Sequence, residues 1–215
     1  MNKEHILTAG AVIILFCSGC HMDDNNLKQN IDKLGLRLDT TNPKMLMRPR
    51  KAVPVNLEIP YGVEVINKEA FRQAFRPLFR LESVVIPDSV TSIGDYVFAG
   101  CNKLEKVKFS AAMKHTGNYT FMNCPVLNEV ILPPRLEKIG YSAFENCTSL
   151  KHITIPDTVT VIDDYAFANC TALESIVIPA SVKYIAYRAF KGCKNLKDVK
   201  ILNPDIALGL EVFDK

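Results

Sequence analysis

The chain contains five cysteines beyond its first twenty residues, and each lies 23 residues from the next. They are Cys101, Cys124, Cys147, Cys170 and Cys193. A regular column of thiols can form disulfides, ligate a metal or pack as small apolar groups. An odd number leaves at least one thiol unpaired, and neither a Cys-x-x-Cys pair nor a histidine partner accompanies them. We therefore expect reduced thiols packed in a core, with disulfides and a metal site as the alternatives.

The histidines do not complete a recognisable catalytic group. They are His5, His21, His115 and His152, and none has a matched nucleophile in the sequence around it. The sequence also lacks a Ser/His/Asp arrangement, a phosphate-binding glycine loop and a calcium-loop pattern. We therefore expect a protein that is not an enzyme, with no cofactor and no metal.

The 23-residue step of the cysteines is shared by two apolar columns. Phenylalanine recurs at Phe75, Phe98, Phe121, Phe144, Phe167, Phe190 and Phe213, and leucine recurs at Leu81, Leu104, Leu127, Leu150, Leu173 and Leu196. A fixed period in the twenties is typical of a solenoid, in which each repeat packs only on its neighbours. The sequence therefore predicts a repeat solenoid over residues 56–215.

A single repeat, residues 150–171, indicates how each coil of the solenoid is built. Ile153 and Ile155 alternate with polar residues, which is typical of a strand with one face on the core. Pro156 follows at once, and because proline lacks an N–H it ends the strand. A second short apolar segment comes next, and residues 166–170 are predicted to form a single helical or 3₁₀ turn.

The full repeat reads I/V-x-I-P-x-S/T-V-x-x-I-x-x-x-A-F-x-x-C-x-x-L, and it resembles the BspA-like leucine-rich-repeat family of bacterial surface proteins. The resemblance covers residues 57–215. It implies a curved α/β solenoid with a parallel β-sheet on one face and short helical turns. It also implies a non-catalytic role in adhesion to host matrix proteins or to other cells.

One position departs from common leucine-rich repeats. Val90, Val159 and Val182 stand where those repeats carry an asparagine ladder. We therefore expect the turn to be satisfied by backbone groups or by the cysteine column.

Residues 1–20 have the features of a bacterial lipoprotein signal peptide. A basic residue precedes an apolar run that is too short to span a membrane as a helix. The segment ends in Cys17-Ser18-Gly19-Cys20, which resembles the lipoprotein box, although leucine is usual in place of Cys17. That resemblance implies cleavage before Cys20 and its lipidation, while a plain signal peptide is the alternative. We expect an exported protein that is lipid-anchored at the outer membrane or cell surface.

Residues 21–55 lie between this signal and the repeats, and we expect a tether or cap there. Leu27, Ile31 and Leu34 recur at helical spacing before Gly35, which predicts one short helix. Residues 40–54 combine prolines with a basic cluster, which is typical of a tether.

The repeat that follows Phe109 has lost three of its characteristic residues. Ser110 replaces the proline, Met113 replaces the valine and Thr116 replaces the isoleucine. Such a degenerate repeat is either tolerated drift or the mark of a contact site.

The outward positions of the predicted strands form a surface of mixed charge with apolar members. We expect a ligand contact in the middle of the stack, at Lys106, Lys108, Glu129, Ile131, His152 and Thr154. The alternative places the contact on Tyr184 and Tyr187 or on the end caps. A net charge of +3, without a Lys/Arg block interleaved with aromatics, argues against nucleic acid.

These features together predict an exported, lipid-anchored binding module that adheres to a protein or glycan on host or neighbouring cells. Its only membrane contact would be the N-terminal lipid. The alternative is a structural spacer or assembly subunit whose terminal coils pair with another chain.

Overall fold

The computed structural model describes residues 24–49, 51–73 and 80–214. The predicted signal peptide of residues 1–20, with its Cys20, lies outside the described residues, and so does Phe75. Within the described residues no helix is long and apolar enough to cross a membrane.

One helix and fourteen short strands make up the described part of the chain. The elements are α1 (Asp24–Lys33), β1 (Arg37–Leu38), β2 (Met45–Met47), β3 (Asn56–Glu58), β4 (Val65–Ile66), β5 (Ser83–Val85), β6 (Ser92–Ile93), β7 (Lys106–Lys108), β8 (Glu129–Ile131), β9 (Lys138–Ile139), β10 (Val161–Ile162), β11 (Ser175–Ile178), β12 (Tyr184–Ile185), β13 (Asp198–Ile201) and β14 (Ala207–Leu208). Apart from the β1–β2 pair, all of the paired strands run parallel. The predicted solenoid with a parallel sheet is confirmed.

Each coil contributes a strand to two separate stacks. The first stack contains β3-β5-β7-β8 and then β11-β13, and the second contains β1-β2-β4-β6 and then β9-β10-β12-β14. Both stacks are interrupted once. Residues 151–156 form no strand in the first stack, and the second is joined across residues 115–116 only by an isolated bridge from His115 to Lys138.

Stacked phenylalanine rings run through the middle of the solenoid. Phe71, Phe98, Phe121, Phe144, Phe167 and Phe190 are fully buried, and successive ring centroids, continuing to Phe213, lie 5.1 to 5.5 Å apart. Before Phe98 the column continues with Phe71, which lies 27 residues earlier. The 23-residue step places Phe75 there, and Phe75 lies outside the described residues.

The segment predicted as a helical turn, residues 166–170, is a run of hydrogen-bonded turns rather than a helix. Asn169 has a φ of 58°, which a continuous right-handed helix does not allow. The N–H of Phe167 donates to the carbonyl of Ala189 in the next coil at 2.8 Å, whereas the N–H of Cys170 donates back to Phe167 at 3.2 Å. Some backbone N–H groups of the turn therefore donate to the next coil, and others donate within the same coil.

The first elements of the described chain cover the N-terminal end of the stack. The predicted helix is confirmed as α1, and its residues Leu27 and Ile31 are buried, with Leu27 packed against Gly62 of the first coil. The expectation of a tether at residues 40–54 is wrong for β2, because this strand pairs with both β1 and β4. Its central residue, Leu46, is fully buried.

The degenerate repeat buries polar side chains that hydrogen-bond to the coils before and after it. Ser110 and Thr116 are fully buried. The hydroxyl of Ser110 donates to the Val90 carbonyl at 2.7 Å, and the hydroxyl of Thr116 accepts from the N–H of Gly140 at 2.9 Å. Met113 is also fully buried. Because these side chains point inward and have partners, they do not form a contact site, and tolerated drift explains the lost residues.

Candidate binding surface

The outward side chains of the first stack form a surface that we call the strand face. It comprises the six residues predicted from the sequence, Lys106, Lys108, Glu129, Ile131, His152 and Thr154, together with Ser175 and Val177 of the following coil. All six predicted residues are exposed. The register places Lys106 beside Glu129 and Lys108 beside Ile131, since these pairs are partners in the parallel ladder of β7 and β8.

Two of the predicted residues neutralise each other. The ammonium of Lys106 lies 3.0 Å from a carboxylate oxygen of Glu129, and both side chains are about half exposed. An exposed pair of this kind contributes up to about 1 kcal/mol to stability. Within the described residues Lys108 has no ion-pair partner, so it is the uncompensated cation of this patch.

Two branched apolar side chains occupy the repeat positions before and after Thr154. Ile131 is 52% exposed and Val177 is 51% exposed, although both are large and apolar. Inward positions of the stack, such as Val107 of β7 and Ile176 of β11, are only 2% exposed because they point into the core. The strand face therefore offers apolar contact area within a polar and charged rim, which is typical of an interaction surface.

A groove lies in the strand face where the first stack is interrupted. Within the described chain, no backbone hydrogen bond joins residues 152–155 to β8 or to β11. The groove has a volume of about 360 Å³, and its lining includes His152, Thr154, Asp157, Ser175, Val177 and Leu202. It therefore combines hydroxyl, imidazole, carboxylate and apolar groups at one opening.

The core under the groove is also less tightly closed than elsewhere in the stack. Val130 is partly exposed and Ile153 is 8% exposed, whereas Val84 is 1% exposed at the same position of an earlier coil. The interruption therefore affects packing as well as backbone pairing. The more exposed core residues Val130 and Ile153 lie in the middle of the predicted contact region.

The groove does not have the contacts of a hydrolytic site. His152, Asp157 and Ser175 are the residue types of a catalytic triad, and all three line it. Across the described residues no hydrogen bond joins any two of these side chains. Nucleophilic catalysis depends on a hydrogen bond between the nucleophile and its base, and the structure does not show that contact among these three residues.

The cysteine column lies inside the solenoid, remote from this surface. All five thiols are unpaired and buried. Each sulfur donates to a phenylalanine carbonyl of the preceding coil, at 3.2 Å from Cys124 to Phe98 and at 3.3 Å from Cys147 to Phe121. Burial raises the pKa of the Cys124 thiol to about 12. Among the described residues no three His, Cys, Asp or Glu side chains are grouped as metal ligands would be.

Five tyrosine side chains form a second continuous column, on the turn segments. Tyr96, Tyr119, Tyr141, Tyr165 and Tyr187 have successive ring centroids 4.2 to 5.8 Å apart. The guanidinium groups of Arg72 and Arg188 lie 4.8 and 4.7 Å from the rings at its two ends. Burial is the main cause of the raised pKa of Tyr96 and Tyr141.

The alternative contact pair from the sequence is divided between a strand and the tyrosine column. Tyr184 lies in β12 and is 41% exposed, whereas Tyr187 packs edge-on against Tyr165 in the column. Only the rings of Tyr96 and Tyr119 are stacked face to face, and all five rings of the column are partly exposed. Sequence reasoning overlooked Tyr96, which its distance of 23 residues from Tyr119 could have revealed.

A family model described as a BspA type leucine-rich repeat region matches this chain in six copies over residues 66–197. A comparison with curated proteins finds no match. The chain is also similar to several solved structures.

The leucine-rich repeat protein of T. pallidum is 26% identical, with a TM-score of 0.71, over 84% of this chain and 86% of that chain. A leucine-rich repeat protein of Bacteroides ovatus is 28% identical, with a TM-score of 0.67, over 84% of this chain and 55% of that one. A leucine-rich cell surface protein of Faecalibacterium prausnitzii is 33% identical, with a TM-score of 0.53, over 78% of this chain and 37% of that one. The chain thus spans only about a third to a half of the last two proteins.

Proposed function

This chain belongs to the BspA-type leucine-rich repeat family, and from that premise we propose that it is a non-catalytic binding module at the bacterial cell surface. Proteins of this repeat type are generally binding scaffolds. The proposed ligand is a protein or glycan on host or neighbouring cells, and the proposed contact is the strand face.

The exposure of Ile131 and Val177 on the two sides of the groove is the observation that carries this proposal. Leaving such side chains in water costs about 25 cal/mol for each Å² of apolar surface that remains unburied. A partner that covers them removes this cost. Lys108, with no ion-pair partner in the described residues, adds a charge that favours an acidic group on the partner.

The cell-surface location rests on the relatives and on the N-terminal sequence. The F. prausnitzii protein is described as a cell surface protein. Ser18-Gly19-Cys20 ends the predicted signal peptide, and we propose that Cys20 carries the lipid that holds the protein on the membrane. The remainder of the chain would then touch the membrane only through that lipid.

Binding of the full chain to host matrix proteins and to a panel of glycans tests the function. The chain carries Cys20→Ser, which removes the predicted lipid attachment. We expect saturable binding to at least one surface, weakened by Ile131→Asp and by Val177→Asp. Val55→Asp is the matched control. Val55 is also an exposed branched apolar residue, at 39% exposure, but it lies outside the strand face. If none of the surfaces bound the protein saturably, the proposed function would be contradicted. If Val55→Asp weakened binding as much as Ile131→Asp and Val177→Asp do, the strand face would be excluded as the contact.

A second candidate function is that of an assembly subunit. It is favoured by the outer strands of the described chain, because β3, β13 and β14 each pair with one other strand only. An assembly role requires self-association or a partner at these outer strands, whereas a ligand-binding role requires the strand face. The two roles are therefore separated by variants in different coils.

A further inference from the structure

The groove in the strand face coincides with a gap in the backbone hydrogen bonds between two coils. In an earlier coil the N–H of Phe109 donates to the Ile131 carbonyl at 3.2 Å. The counterpart across the groove would run from the N–H of Ile155 to the Val177 carbonyl, and the described residues contain no such bond. Because Ile155 and Val177 both line the groove, one backbone donor and one backbone acceptor are left open there.

The carbonyl of Val177 faces the groove rather than the next coil. On the side of β13, the carbonyl of the neighbouring Ile178 accepts from the N–H of Leu202 at 3.0 Å. The C=O groups of successive residues in a strand point to opposite edges of that strand. The Val177 carbonyl therefore points back towards residues 152–155.

Asp157 is the only acidic residue in the lining of the groove, and no lysine or arginine lines it. Within the described part of the chain, its carboxylate has no ion-pair partner and accepts no hydrogen bond. The same repeat position is occupied differently in an earlier coil, where a carboxylate oxygen of Asp88 accepts from the N–H of Ala111 at 2.7 Å. The exposed carboxylate of Asp157 is therefore an uncompensated negative charge at the groove.

The other lining groups suit a long side chain with a polar head. The groove volume of about 360 Å³ is many times the roughly 30 Å³ that one water molecule occupies in the liquid. Thr154 and Ser175 contribute hydroxyl groups that accept hydrogen bonds, whereas Val177 and Leu202 contribute apolar surface. Lysine and arginine combine an apolar stem with a charged head that only donates hydrogen bonds. Their chemistry complements that of the groove.

We propose that the groove receives a lysine or arginine side chain of a protein ligand, with its charged head at the Asp157 carboxylate and its stem along Val177 and Leu202. The inference rests on the proposed ligand-binding function and specifies the chemistry of the ligand. A neutral glycan pairs with the open backbone groups but leaves the carboxylate without a counter-charge. Charge complementarity therefore favours a protein.

Binding of the full chain carrying Cys20→Ser to an array of hexapeptides, varied one position at a time, tests the inference. We expect arginine or lysine to be selected at one position of the peptide. The peptide that binds best is then compared in solution with a copy in which citrulline, which is uncharged, replaces the basic residue. The citrulline copy should bind at least tenfold more weakly, because it supplies no charge to Asp157.

Substitution of Asp157 locates this preference in the groove. Asp157→Asn should weaken binding of the basic peptide at least tenfold and leave binding of the citrulline copy unchanged. Asp88→Asn is the matched control, because Asp88 occupies the same repeat position but does not line the groove. Asparagine keeps an oxygen that accepts from the N–H of Ala111, so this variant should bind both peptides as the parent does.

Three results would overturn the inference. These are an array without selection of a basic residue, an equal loss of both peptides in Asp157→Asn, and saturable binding that is confined to glycans. In the third case, glycan binding that Ile131→Asp weakens would retain the proposed function with a different ligand. A chain that binds no peptide, matrix protein or glycan saturably would instead contradict the proposed function itself.

Discussion

The sulfur of Cys147 lies 3.3 Å from the carbonyl oxygen of Phe121, which belongs to the preceding coil. The equivalent contact recurs at the other four cysteines, at distances of 3.1 to 3.4 Å. Each thiol therefore connects two coils by donating to a backbone group in the core. The turn at the valine position, where common leucine-rich repeats carry an asparagine ladder, is closed by backbone groups instead, because the N–H of Val159 donates to the Pro156 carbonyl at 3.0 Å and that of Val182 to the Pro179 carbonyl at 3.1 Å.

The cysteine column should be inert in the folded protein. We expect the thiols from Cys101 to Cys193 to resist iodoacetamide under native conditions and to react fully in denaturant, because all five are buried. Intact mass before and after denaturation measures this. Paired sulfurs in the native protein, or rapid native alkylation of Cys124, would contradict it.

Stability should fall at alkaline pH because of the same thiols. Burial raises the pKa of Cys124 and of Cys193 to about 12, whereas an unfolded thiol ionises near about 8.5. The folded state therefore favours the neutral thiol. Its contribution is complete below about pH 8.5 and is lost as the pH rises towards about 12, by at most about 1.4 kcal/mol per pH unit for each thiol.

Urea unfolding at about pH 8 and at about pH 10 measures this loss, on the two sides of the unfolded thiol pKa. Cys124→Ala is the control, because it removes one ionising thiol and should reduce the dependence on pH. An equal loss of stability in both proteins would show that other groups cause it.

The phenylalanine column should be the main source of stability in the middle of the stack. The ring of Phe144 is fully buried, with centroids 5.5 Å from Phe121 and 5.3 Å from Phe167. We expect Phe144→Ala to lower the free energy of unfolding by about 3–5 kcal/mol, as for a large buried aromatic. Tyr61→Ala, at a position that is 37% exposed, should change it by under about 0.5 kcal/mol. Similar urea midpoints for the two variants would contradict this.

Cys20 should carry a lipid. We expect Cys20→Ser to release the protein from membranes and to abolish labelling with a fatty acid, because acylation of this cysteine is the only proposed anchor. Cys17→Ser is the matched control, and it should retain both properties. Unchanged membrane partition in Cys20→Ser would contradict the prediction.

The core was predictable because each column repeats one residue type at one step. A cysteine or phenylalanine every 23 residues leaves few ways to place it other than in a stack. The stacking of Phe71 on Phe98 was harder to foresee, because these two residues are 27 rather than 23 positions apart.

The groove was not predictable from local sequence. Residues 150–156 keep the complete strand pattern of their repeat, including Ile153, Ile155 and Pro156. Nothing in this local pattern distinguishes the coil from its neighbours, so the missing strand left no signal in the sequence. At residues 40–54 the prolines and basic residues suggested a tether, although Leu46 packs in the core and its strand has partners on both sides. There tertiary packing overrides the local pattern.

The affinity of two combined variants for a host matrix surface tests the strand face most directly. The triple variant Lys108→Glu/Glu129→Lys/His152→Ala should bind at least tenfold more weakly, a loss of about 1.4 kcal/mol. The double variant Tyr184→Ala/Tyr187→Ala should bind as the parent does. Thermal unfolding checks the fold of both, since Glu129→Lys removes the ion pair with Lys106 and Tyr187→Ala removes a ring that packs on Tyr165. Full binding by the triple variant, with loss in the double variant, would contradict the assignment and place the contact on the tyrosines.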